Sequence, residues 1–107
     1  MLLAIDSSTR VIGVALYDGV QVLGEMVWNS RDYHTVELAP AVTEILRRSQ
    51  VSPEALKAVA VATGPGSFTG LRIGLAFAKG LCLARRLPLL GIPTLDSVAA
   101  AQPVQGL

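Results

Sequence analysis

Between residues 64 and 74 the chain reads Gly64-Pro65-Gly66-Ser67-Phe68-Thr69-Gly70-Leu71-Arg72-Ile73-Gly74. An apolar run over 58–62 precedes this segment and a long apolar helical stretch follows it, which marks a strand-to-helix junction, where ligand and partner sites of α/β folds concentrate. Glycine admits φ > 0 and close backbone approach, and the first turn of a helix presents unpaired N–H groups, so the segment could hold an anion. It is not a P-loop, because Pro65 stands where the first glycine belongs and Leu71 where the lysine belongs. The dinucleotide fingerprint fails at Thr69, which takes the place of the third glycine, and no acidic ribose ligand ends the next strand, Leu89-Leu90-Gly91-Ile92-Pro93. The other reading of the loop is architectural: a capped turn whose glycines let the helix pack close to a sheet.

The remaining reactive side chains are few. Asp6 ends the first apolar run and would face a crevice able to hold phosphate or metal, so it is the one candidate catalytic carboxylate. Actin-like kinase and ATPase lobes carry Asp-x-Gly-Thr/Ser at such a turn; here Ser8 replaces the glycine, and its Cβ would obstruct close backbone approach. His34 is the single histidine, with neither a His-x-x-x-His pair nor a Ser-His-Asp relay around it. Ser67 has Thr69 where a nucleophile elbow would have its second glycine, which argues against a serine hydrolase.

Composition narrows the setting. The chain has 107 residues, enough for one small domain with a core of its own. The lone cysteine, Cys82, excludes a disulfide framework and a thiolate metal cluster, and a reducing, cytoplasmic location is expected. The stretch 71–84 is interrupted by Arg72 and Lys79 and falls short of the roughly 20 apolar residues that span a bilayer, so no membrane partner is expected. Formal net charge is +1, with basic and acidic residues scattered, which gives no footprint for nucleic acid binding by the chain alone. The doublets Arg47-Arg48 and Arg85-Arg86 fall near predicted helix ends, where the helix dipole favours cations.

These residues must be positioned by a simple succession of elements. Period-two alternation predicts strands over 2–7, 11–17 and 21–28, with Asp18-Gly19 as a hairpin signal. After Asn29-Ser30-Arg31-Asp32 a helix follows to Ser49, with Leu38, Val42, Ile45 and Leu46 on one face and either a kink or a late start at Pro40. A turn of helix at Ser52-Pro53-Glu54, a strand over 57–62, a second helix over 69–86, a strand over 88–92 and a last short helix over 94–101 complete the pattern. Three antiparallel strands and two α-β crossovers amount to an α/β fold, a mixed five-stranded sheet flanked by helices in the layout of a ribonuclease-H-like (actin-like) lobe. The second helix places Gly70, Gly74, Ala78 and Cys82 at four-residue steps as a ridge of small side chains, with Leu71, Leu75, Phe77 and Leu81 over the rest. A helix apolar all round requires burial on both sides, so a partner surface is expected.

Leu3-Ala4-Ile5-Asp6-Ser7-Ser8-Thr9, Val14-Ala15-Leu16-Tyr17-Asp18, the Gly64 to Gly74 block and Pro93-Thr94-Leu95 together resemble the TsaB (YeaZ) family, the bacterial subunit required for threonylcarbamoyladenosine formation at position 37 of tRNA. The resemblance covers essentially the whole chain, but only the N-terminal lobe of that two-lobed family, which implies that the C-terminal lobe is absent. The catalytic paralogue TsaD carries a metal-binding His-x-x-x-His just after the fifth strand; the matching positions here are Thr94 and Val98, and neither can replace an imidazole. The resemblance thus implies a non-catalytic subunit that docks on TsaD, with TsaE in a larger complex, no cofactor of its own, ATP and metal on the partner subunits, and tRNA reached only through the complex. The expected docking residues on the first and second helices are His34, Glu37, Ala41, Gly70, Leu71, Gly74, Leu75, Ala78 and Cys82, and the same surface would form a homodimer when the lobe is alone. Asp6, Ser7, Ser8, Gly64, Gly66 and Ser67 are expected as a vestigial phosphate crevice. Two other readings stand beside this one: an ATP-binding or hydrolysing lobe of the actin-like kind, motivated by Asp6 and the glycine loop, and a protease, for which no nucleophile-base pair can be named.

Overall fold

Leu3 and Ile5, then Ile12, Val14 and Leu16, then Val59 and Val61 recur at the two-residue period of a strand, and all are buried in a single core. The structure, a computed structural model, describes residues 1–7, 11–30, 35–64 and 68–93. In chain order it contains β1 (Leu2–Asp6), β2 (Val11–Tyr17), β3 (Val22–Asn29), α1 (Thr35–Arg48), a 3-10 turn (Pro53–Ala55), β4 (Ala58–Gly64), α2 (Phe68–Arg85) and β5 (Leu89–Pro93). The sheet order is β3-β2-β1-β4-β5. β2 runs antiparallel to both its neighbours, whereas β4 is parallel to both β1 and β5, the mixed arrangement expected from the sequence. The short helix expected over 94–101 lies outside the described residues.

Both helices cover the same face of the sheet, α1 over β2 and β3, α2 chiefly over β4 and β1. The α1 stripe of Leu38, Ala41, Val42, Ile45 and Leu46 is buried, and full burial of each larger aliphatic side chain contributes about 1.5–3 kcal/mol. α1 continues through Pro40, which is exposed and forfeits only the bond its missing N–H would make to the Val36 carbonyl. Gly24 lets the end of α1 close on β3, because a Cβ there would collide with Ser49 Oγ and lie 3.2 Å from Ile45 Cγ1. The β2-β3 connection is longer than a two-residue turn. Asp18 Oδ1 accepts the N–H groups of Val20 and Gln21 at 2.7 and 2.8 Å, and Gly19 takes φ +102°.

Each helix ends in the same way. Val51 N–H donates to the Leu46 carbonyl and Leu87 N–H to the Cys82 carbonyl, both at 2.9 Å, around Gln50 and Arg86 in the left-handed region at φ 57° and 56°. These six-to-one closures turn the chain sharply into the following turn and strand.

On the exposed side of α1, Glu44 accepts from Arg47 at 2.6 and 3.1 Å and from Arg48 at 2.7 Å. The two guanidinium groups hold its carboxyl down from an ordinary 4.5 to about 2. A depressed folded-state value stabilises above the unfolded value and loses that effect as pH falls through the folded one. The stability difference between the native chain and Glu44→Gln should therefore be full above pH 4.5 and shrink toward pH 2. Because these groups are exposed, thermal unfolding across pH should also show the difference fade in about 1 M salt.

Candidate functional site

β1 and β4 are parallel neighbours, with Ile5 opposite Val61. The end of β1, the end of β4 at Gly64 and the first turn of α2 therefore meet at the carboxyl edge of the parallel strands, the usual place for a ligand crevice. The alternation of β1, carried one residue past its end, separates Asp6 from Ser7. Asp6 is half-buried and lines a trough of about 260 Å³ on the sheet face opposite the helices, together with Ala4, Gly13, Ala15 and Ala62. Ser7 points to the other face, is fully buried, and its Oγ donates to the Gly70 carbonyl at 2.7 Å. The expectation that Ser7 belongs to a phosphate crevice is corrected on that ground: its hydroxyl is committed to the helix, and strand geometry keeps it from sharing a ligand with Asp6. Ser8, Gly66 and Ser67 lie outside the described residues, and Gly64 contributes its backbone at the end of β4 beside Pro93.

The small-residue ridge of α2 is also placed differently from expectation. Gly70, Gly74, Ala78 and Cys82 are all buried beneath α2 on the side of the sheet, so they are not an outward partner surface. A Cβ at Gly74 would collide with Ser7 Oγ and lie 3.1 Å from Ser7 Cβ. The physical reason is that helix-on-sheet contact needs small side chains wherever the backbones come closest. Ala41 of α1 is likewise sealed into the core. Burial pushes the Cys82 thiol up from its ordinary value, and Sγ sits 3.7 Å from the Pro88 carbonyl oxygen.

Of the other expected docking residues, Leu71 and Leu75 are half-buried, and Leu75 packs against the core. Glu37 is half-buried and accepts a short hydrogen bond from Ser30 Oγ, tying the first turn of α1 to the end of β3. His34 lies outside the described residues.

The face of α2 turned away from the sheet carries Arg72, Ala76, Gly80 and Ala84, all exposed. This is a second ridge at four-residue steps, two residues out of phase with the first and so about 200° around the helix. A Cβ at Gly80 would meet nothing within 4 Å. Its four-residue spacing is visible in the sequence beside that of the buried ridge. Among the described residues no three His, Cys, Asp or Glu side chains gather as a metal site, and no helix is long and apolar enough to cross a membrane.

With this geometry in view, the likeness to known proteins is specific. The family profile described as TsaD: tRNA N6-adenosine threonylcarbamoyltransferase matches residues 21–106. The chain is 41% identical over 98 residues to the tRNA threonylcarbamoyladenosine biosynthesis protein TsaB of Escherichia coli, covering 92% of this chain and 42% of that one. It is 36% identical over 99 residues to the protein of the same name from Bacillus subtilis, covering 92% and 43%. The solved structure of YeaZ from Pseudomonas aeruginosa superposes with a TM-score of 0.82 at 31% identity, over 94% of this chain and 50% of that one. The chain thus spans about half the length of the relatives it matches.

The contact of Ser7 with α2 can be tested by a mutant cycle. Gly74→Ala should destabilise by about 1–3 kcal/mol through overpacking, and Ser7→Ala by about 1 kcal/mol through the lost hydrogen bond. Denaturant unfolding of the double variant should show less than the sum, because removing Oγ relieves the worst clash of the new Cβ.

Proposed function

Since the chain belongs to the TsaB (YeaZ) family and has its ribonuclease-H-like (actin-like) fold, we propose that it serves tRNA N6-threonylcarbamoyladenosine formation as a non-catalytic lobe that docks on TsaD. The observation that carries this reading is the outward ridge of α2. The sheet side of the helix is already filled by Gly70, Gly74, Ala78 and Cys82, yet Ala76 and Gly80 leave the opposite side low and open. Small side chains at four-residue steps let a second helix approach closely, which suits a helix-to-helix contact better than a small-molecule site. Leu71 and Leu75, half-buried along the same helix, would border that contact.

In this reading ATP and metal are handled by the partner subunits TsaD and TsaE, and tRNA meets the assembled complex in the cytoplasm. The divergence of Asp6 and Ser7 onto opposite sheet faces supports a role without nucleotide chemistry at that turn. When TsaD is absent, the same ridge would pair two copies about a two-fold axis, each presenting its small side chains to the other.

Co-purification with TsaD, followed by light scattering of the recovered complex, tests the proposal. The expected result is one copy of TsaD per chain, lost in Gly80→Arg. That variant should unfold no more easily than the native chain, since replacing an exposed helix glycine removes a penalty of roughly 0.5–1 kcal/mol. Recovery without TsaD, or undiminished recovery with Gly80→Arg, would count against docking through this ridge.

A further inference from the structure

β5 is the last strand of the sheet: β4 pairs its inner side, and no described strand pairs its outer side. Its sequence, Leu89-Leu90-Gly91-Ile92-Pro93, carries no charge to blunt an open edge, and Leu90 is 49% exposed. A cavity flanks this strand on each face of the sheet. On the helix side a groove of about 440 Å³ is lined by Lys79, Cys82, Leu83, Arg86, Leu87 and Leu89. On the far side Ile92 forms part of the wall of the small-residue trough. A strand added beside β5 would send alternate side chains toward these two sides, as the pleat requires.

Charge decides what such a strand would carry. Lys79 and Arg86 are exposed at the groove and make no ion pair among the described residues, while Leu83, Leu87 and Leu89 supply an apolar floor. A glutamate suits this side, with its methylenes over the leucines and its carboxylate at the cations. An apolar residue suits the other, beside Leu90 and Ile92. A second copy of the chain would bring its own Lys79 and Arg86 to the same place, which disfavours pairing of β5 with itself.

We propose that β5 is a strand-addition site for an extended segment of another protein in which acidic and apolar residues alternate, the acidic ones meeting Lys79 and Arg86. Main-chain hydrogen bonds along the open edge would supply affinity, and the flanking cavities would supply selectivity. The groove borders the α2 ridge, with Lys79 and Leu83 flanking Gly80, but binding of an isolated peptide is read with TsaD absent, so the proposal stands or falls independently of docking on TsaD.

The test uses the acetylated and amidated peptide Val-Glu-Val-Glu-Val on the whole chain, with calorimetry for affinity and amide hydrogen exchange for location. Binding should be saturable and should slow exchange within 89–92. Val-Lys-Val-Lys-Val should bind at least roughly tenfold more weakly, and Lys79→Glu combined with Arg86→Glu should weaken the acidic peptide by a similar factor while lowering the unfolding midpoint by no more than about a few degrees, the cost of a carboxylate at the carboxyl end of α2. Absence of binding, equal binding of the two peptides, indifference to the charge reversals, or slowed exchange in β3 instead would each overturn the proposal. Protection of β5 that rises with protein concentration alone would overturn it in favour of a second copy.

Discussion

The two layers of this lobe come into close contact where Ser7 meets the first turns of α2. Its hydroxyl is buried and donates to the Gly70 carbonyl, and it occupies the space that a side chain at Gly74 would need. A buried hydroxyl without a partner costs about 1–3 kcal/mol, so the helix carbonyl is as necessary to Ser7 as Ser7 is to the seating of the helix. This contact sets the height of α2 over β1 and β4. It also turns the carboxyl edge of the parallel strands into a packed junction at Ser7, while Asp6 is left on the opposite face.

A comparable closeness is repeated at the far side of the layer, where Gly24 admits Ile45 of α1 and Ser49 just beyond its end over β3. Between these two approaches, the aliphatic residues of β1, β2 and β4 and the α1 stripe form one continuous core. The two described helices therefore seal the same face of the sheet. On the other face small side chains such as Ala4, Ala15, Ala60 and Ala62 floor a shallow trough, and β4 is buried on both faces, from Val59 through Ala62, as parallel strands in α/β folds ordinarily are.

Among the described residues, the surfaces are more distinctive than the reactive side chains. Asp6 faces away from Ser7, and Cys82 is held as a buried thiol rather than a reactive one. What the lobe offers instead is an outward helix ridge with an open glycine at Gly80 and an uncharged edge strand flanked by two cavities.

The amino-acid sequence by itself determined the succession of strands and helices, the mixed sheet and the family. Those features are written in short-range patterns: alternation at Ile12, Val14 and Leu16, helical spacing at Leu38, Val42 and Ile45, and the glycine block that leads into α2. It also pointed to close packing of α2, since Gly70, Gly74, Ala78 and Cys82 recur at helical steps. Only the tertiary structure decided which side of α2 that ridge occupies, because helical periodicity defines a stripe but not its azimuth, and α2 carries small residues on two opposite sides. Likewise, whether Asp6 and Ser7 could share a ligand depended on where β1 sits between its neighbours and which of its faces the helices cover, a choice made by the packing of the whole core rather than by any local run of residues.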